Sequence, residues 1–229
     1  MRRRRCLQLA GTVGISSVAG CLSRLVDDSP ENVTLPPQED QMAESEDLAY
    51  PAYGQRLPDF EVPDPINELS IRTGELERTS IVTAFFAFCP AECATLLRRL
   101  TAVQQNVISD GSNADTAFLP ITFDPERDDA VALQEHGRMV GVDFEAGNWH
   151  YLRPPDEAAA RRIVEGELGI GFERVGGTES RVEGYDFVHS IVTLLVNPDG
   201  VVERAYRGET PDVERISDDM IAVTESDTE

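Results

Sequence analysis

The chain contains no lysine. All 20 basic residues are arginine, against 42 aspartates and glutamates, for a formal charge of −22. Beyond Arg2 to Arg5 no basic stripe exists, which argues against a nucleic-acid partner. An acidic surface without lysine fits a protein from an extreme halophile, because molar salt shortens self-repulsion to about 3 Å. A basic partner or cation storage explains the acidity less well. There is no internal repeat and no phosphate cradle: Gly169-Ile170-Gly171 lacks the strand–turn–helix setting that one requires. Cysteine is scarce, at Cys6, Cys21, Cys89 and Cys93. Only the last two form a close pair.

The first 20 residues read as an export signal. Arg2 to Arg5 give a positive start, and residues 7–20 are too short and too polar to span a membrane. Arg4-Arg5-Cys6-Leu7 resembles a twin-arginine signal. Val18-Ala19-Gly20-Cys21 resembles a lipobox, which would make Cys21 the lipidated mature terminus on the outer face of the cytoplasmic membrane. Cys6 would be lost on cleavage, leaving Cys89 and Cys93 as the free thiols. Residues 21–57, rich in Asp, Glu, Ser, Pro and Gln, are expected to be a disordered acidic linker. Residues 58–225 are long enough for one buried domain.

Within that domain strand and helix patterns alternate. Strands are expected at 60–62, 80–88, 117–123, 149–152, 187–196 and 201–206. Helices are expected at 92–107, 129–140, 154–168 and 212–223, with a turn at Asn197-Pro198-Asp199-Gly200. The run 80–88 is continuously apolar, as in a central strand covered on both faces. This order predicts an α/β domain of thioredoxin-like fold, with a central mixed sheet flanked by helices.

Cys89 and Cys93 fall where the central strand gives way to a helix. Helix N-terminal N–H groups favour an anion, promoting thiolate character, while Glu92 opposes it. Three residues separate the cysteines, where redox thioredoxins usually have two. An i, i+4 pair points both sulfurs one way, so the pair can close a disulfide or chelate a soft ion such as Cu(I). Two thiolates leave the coordination incomplete, so a third ligand would come from elsewhere. His136 reads as a solvated helix residue and His150 as an edge or surface residue. His189, in an otherwise apolar strand, is either a hydrogen-bonded buried histidine or a ligand at the sheet's end.

The segments Phe88-Cys89-Pro90-Ala91-Glu92-Cys93, Asp124-Pro125-Glu126-Arg127-Asp128, Val188-His189-Ser190-Ile191 and Asn197-Pro198-Asp199-Gly200 resemble the Sco/SenC family in order and spacing. That family consists of membrane-anchored, thioredoxin-like proteins serving assembly of the copper centre of cytochrome c oxidase. The resemblance implies that Cys89, Cys93 and His189 bind copper, as Cu(I) or Cu(II). It also implies that Cys89 and Cys93 form a disulfide when oxidised, and that the partner is a copper subunit of a terminal oxidase. Three positions depart from the family pattern: Val188 replaces an acidic residue, Ala94 a proline and Ala91 an aspartate. Asp124 and Asp128 read as turn and cap residues that are also candidates to support the ligands from behind. The competing reading is a thiol–disulfide oxidoreductase working through Cys89 and Cys93 alone. The spacing, and the lack of a proline in Tyr185 to Ser190, weigh against it. A peroxidase is weaker still, since Phe86 stands where its motif needs threonine.

Overall fold

The computed structural model of the chain describes residues 32–89, 91–175 and 187–227. The expected signal and lipobox, Cys21 included, lie outside these residues, as does Pro90. Four strands form the main sheet: β3 (Thr79–Phe85), β4 (Thr116–Thr122), β7 (Val192–Val196) and β8 (Val202–Arg207), in the order β4-β3-β7-β8. β3 runs parallel to β4 and antiparallel to β7, which is antiparallel to β8. Every residue of β3, β4 and β7 is buried, as strands covered on both faces require. The sheet is therefore mixed, as expected.

The helices follow from their patterns. α1 (Glu92–Asp110) buries Leu96, Leu97, Leu100, Val103 and Val107, one stripe at helical spacing. It ends at Gly111, whose positive φ of 96° allows its N–H to reach back to Val107 and Ile108. α2 (Ala130–Val140) is capped by Asp129, which accepts from the N–H of Ala132. α3 (Glu157–Ala160) continues in π-type turns over Arg161–Glu167. α4 (Val213–Asp227) packs on α1. Among the described residues no helix is long and apolar enough to cross a membrane.

The expected strand at 149–152 is reduced to isolated bridges, Phe118 to Trp149 and Ile121 to Leu152. Its N–H groups at His150 and Leu152 bond to the carbonyls of Phe118 and Pro120. Pro120, facing it from β4, has no N–H to return, so the ladder is incomplete. A hairpin the sequence showed only in part, β1 (Glu61–Asp64) with β2 (Leu69–Arg72), lies outside the main sheet.

Residues 32–57 were expected within a disordered linker. Instead they lie on the domain, held by partners far along the chain. The N–H groups of Thr34 and Leu35 donate to the buried carboxylate of Glu203. Asn197 donates to the Asn32 carbonyl and Arg204 to that of Pro36, and Arg215 pairs with Asp40 through both its terminal nitrogens. Polar composition disfavoured a core here, but Leu35 and Leu57 join the domain's core, Ala52 and Tyr53 are buried, and backbone groups paired with buried side chains fix the rest.

The 187–196 run is not one strand. β6 (Phe187–His189) separates from β7 and pairs antiparallel with β5 (Phe172–Arg174) in a two-stranded ribbon of its own. Phe172 lies opposite His189 and Arg174 opposite Phe187. With a period of two, these four side chains share one face, and Val188 takes the other. Val188 is accordingly 57% exposed while Phe187 is buried.

Candidate metal centre

Cys89 ends the loop leaving β3, and Cys93 sits in the first turn of α1. Both are free thiols and both are buried. No side chain caps α1 at Ala91. The Cys89 sulfur takes that place, accepting from the Cys93 backbone N–H at 3.3 Å, so the helix N-terminus presents a donor to one of the two sulfurs.

The ribbon brings His189 to the same point. Its Nε2 lies 3.3 Å from Cys93 Sγ. Its Nδ1 is 3.1 Å from the Ser190 carbonyl, which can only accept, so Nδ1 carries the proton and Nε2 is directed at the sulfurs. The imidazole packs against Phe123, with ring centres 5.1 Å apart, and edge-on against Phe86 at 6.3 Å. Phe172, Phe187, Phe86 and Phe123 form one aromatic cluster behind it.

The protons on this trio are contested. The hydrogen bond from Cys93 holds the Cys89 thiol well below its ordinary range; burial opposes this and His189 assists. Burial pushes Cys93 the other way, reinforced by the negative charge of Cys89. Cys93 thus keeps its proton beside a Cys89 held toward thiolate, and a cation binding both sulfurs would release that proton. Among the described residues, no set of three or more His, Cys, Asp or Glu side chains encloses a metal position. Cys89, Cys93 and His189 hydrogen-bond to one another instead.

Two carboxylates stand behind the ligands, and neither touches the His189 ring. Asp128 is fully buried; its Oδ2 accepts from the Ala87 N–H at 2.9 Å and from the Thr122 hydroxyl. It therefore braces the loop between β3 and Cys89. Among the described residues its Oδ1 has no hydrogen-bond partner, and burial raises its pKa to about 6. Asp124 binds two guanidinium groups, those of Arg127 and Arg174. Arg174 carried no sequence signal beyond its place two residues after a buried phenylalanine.

His136 and His150 do not join the centre, and neither is at the surface. His136 is buried with Nδ1 3.1 Å from the Tyr151 hydroxyl. Burial lowers its pKa to about 4. His150 is buried with Nδ1 3.0 Å from Asp64. Asp64 is held below the usual carboxylate range: burial would raise it, but the hydrogen bonds from His150 and Asn67 outweigh that. Sequence position placed His136 on a polar helix face beside Glu135 and His150 in a short strand after Trp149, whereas their partners come from other segments.

A thioredoxin-like α/β domain with a CxxxC pair at a strand–helix junction, faced by a histidine from a separate ribbon, defines a class of protein. Its solved neighbours have that fold. A SCO1/SenC family lipoprotein from Bacillus anthracis superposes with a TM-score of 0.61 at 16% identity, covering 73% of this chain and 94% of that one. Bradyrhizobium japonicum ScoI, solved with copper bound, gives 0.59 at 17%, covering 72% and 98%. The SCO1/SenC family model matches residues 66–225, and the chain belongs to that family. The mitochondrial SCO2 homologue of Danio rerio is 30% identical over 168 residues, 70% of this chain and 54% of that protein. The chain spans about half the length of the curated relatives it matches.

Proposed function

We propose that this chain is a copper-binding assembly protein, anchored through lipidated Cys21 to the outer face of the cytoplasmic membrane. It would carry copper to the copper subunit of a cytochrome c oxidase-type terminal oxidase. The observation that carries the reading is the 3.3 Å approach of His189 Nε2 to Cys93 Sγ. It brings an imidazole from a separate ribbon to the soft sulfur pair, completing a donor set of two sulfurs and one nitrogen that suits copper. Copper is the cargo. Cys89, with its depressed pKa, offers a thiolate first; Cys93 and His189 Nε2 close around the ion as the Cys93 proton leaves. Cargo would pass on by exchange of these ligands for those of the acceptor. Family membership, and the copper bound in the ScoI relative, support the reading.

The test is copper titration of the full chain against His189→Ala. Loss of the nitrogen ligand is expected to weaken copper binding by at least tenfold and to change the visible spectrum of the Cu(II) form. Unchanged affinity and spectrum would sink the three-ligand site.

One observation favours the second reading, a thiol–disulfide oxidoreductase that keeps a partner's cysteines reduced. Cys89 is held toward thiolate directly beside the Cys93 thiol, the arrangement an attacking and a resolving sulfur need. Reduction of a disulfide substrate at an undiminished rate in His189→Ala would support it.

A further inference from the structure

We propose that Asp124 is the positioning residue that ties the cysteine half of the centre to the histidine half; the inference rests on the copper-site reading above. The two halves come from different parts of the fold. Cys89 and Cys93 ride on the β3–α1 junction, whereas His189 rides on the β5–β6 ribbon, which among the described residues shares no strand pairing with the main sheet. Apart from the two-residue link from β6 to β7, something other than a β-ladder must set their separation.

Asp124 lies between them with its side chain fully buried. Oδ2 binds Arg127, whose guanidinium lies over the Phe88 ring at 5.4 Å; Phe88 immediately precedes Cys89. Oδ1 binds Arg174 at 3.0 Å, and that guanidinium lies over the Phe187 ring at 4.6 Å; Phe187 is two residues before His189. One carboxylate thus holds two arginines, and each arginine covers an aromatic ring beside a ligand. Arg174 stands opposite Phe187 in the ribbon register, so fixing Arg174 fixes the strand that bears the imidazole. The Asp124 backbone is itself anchored, its N–H donating to the Thr122 hydroxyl and its carbonyl accepting from Arg127 and Asp128. The ribbon is also held by the Phe172 N–H on Glu165 and by the Arg161 guanidinium over the Phe172 ring, both contacts to the 161–167 turns, and by aromatic packing, which resists separation but slides more readily than a directional ion pair. A buried carboxylate gripping two planar guanidiniums supplies the missing direction.

The experiment compares Arg174→Gln, Asp124→Asn and Arg174→Lys with the natural chain, alone and combined with His189→Ala. Arg72→Gln, which breaks the exposed Arg72–Asp59 pair on the β1–β2 hairpin, is the control. Supporting partners of metal ligands typically contribute 10- to 100-fold in affinity. Arg174→Gln and Asp124→Asn should therefore weaken copper binding at least tenfold. Arg174→Lys should recover part of the loss, and Arg72→Gln should change nothing. In the His189→Ala background Arg174→Gln should cost less than twofold, because the ligand it positions is gone. In the metal-free protein, the pH profile of Cys93 alkylation in Arg174→Gln should move to that of His189→Ala. If Arg174→Gln does not fold, judged by near-ultraviolet circular dichroism, Arg174→Met, which removes the charge but keeps the stem over Phe187, serves the same comparison. Copper affinity within twofold of the natural chain, or an equal loss with and without His189, overturns the proposal. If His189→Ala itself leaves copper binding intact, it is the copper-site reading that fails; the alkylation profiles still decide whether Asp124 positions His189.

Discussion

Asp128 and His136 should oppose one another in the pH dependence of stability, and each should become visible when the other is removed. Asp128 is fully buried and titrates at about 6 in the folded chain against an ordinary 3.8. Between those values the folded state holds a proton that the unfolded chain has lost, so stability falls as pH rises, by about 3 kcal/mol in total. His136 is buried and titrates at about 4 against an ordinary 6.5. There the unfolded chain holds the extra proton, so stability rises with pH, again by about 3 kcal/mol. From pH 4 to 6 the two slopes largely cancel. In Asp128→Asn the remaining amide oxygen still accepts from Ala87 and Thr122, and its NH2 group falls where Oδ1 has no partner, a cost of about 1–3 kcal/mol independent of pH. The assay is urea unfolding of reduced, metal-free protein between pH 4 and 8 at constant high salt. Subtracting the natural chain's curve removes groups common to both, Cys89 included. The Asp128→Asn difference should climb by about 3 kcal/mol from pH 4 to 6 and then level. The His136→Gln difference should climb by a similar amount as pH falls from 6.5 to 4. Flat difference curves, or curves bending the other way, would refute the assignment of buried titrating groups behind the loop that carries Cys89.

Two further substitutions probe what the domain rests on. Leu97→Ala, at a fully buried position on α1, should cost about 2–5 kcal/mol as a lowered urea midpoint with unchanged slope. Gly169→Ala should be more disruptive than its size suggests: φ is +63°, and an added Cβ would meet the Ala49 carbonyl oxygen at 1.6 Å. It should expose residues 32–57 to proteolysis while Gly111→Ala, with positive φ but open space around it, costs only about 1–2 kcal/mol. Equal protease resistance in the two variants would show that the segment is not held where Gly169 meets Ala49.

The parts of this fold that were legible in sequence are those whose causes are local. The continuous apolar run of β3 and the leucine stripe of α1 each declare themselves within a few residues, whereas the cap of α2, read at Asp128, falls to Asp129 because Asp128 is turned inward onto Ala87 and Thr122. What was misjudged depends on partners far along the chain. Residues 32–57 look like a linker until Glu203 and Asn197 are placed against them. His150 looks like a surface residue until Asp64, 86 positions away, is brought to its ring.

The break between β6 and β7 matters most for the site. A single strand over 187–196 would have carried His189 straight past the end of β3, whose last residue, Phe85, falls opposite Ile191 when the β3–β7 register is extended. Separation at Ser190 and Ile191 lets β6 pair with β5 instead, and Ser190 then serves twice. Its N–H bonds to the Gly171 carbonyl across the ribbon, and its own carbonyl takes the Nδ1 proton of His189. The strand break that the apolar pattern concealed thus frees the histidine from the sheet and also selects the nitrogen it presents to Cys93. The same alternation that turns His189 inward turns Val188 out to solvent. An acidic residue at 188 would sit on the ribbon's outer face, so the departure from the family pattern there changes the surface around the centre and leaves the sulfur–imidazole contact intact.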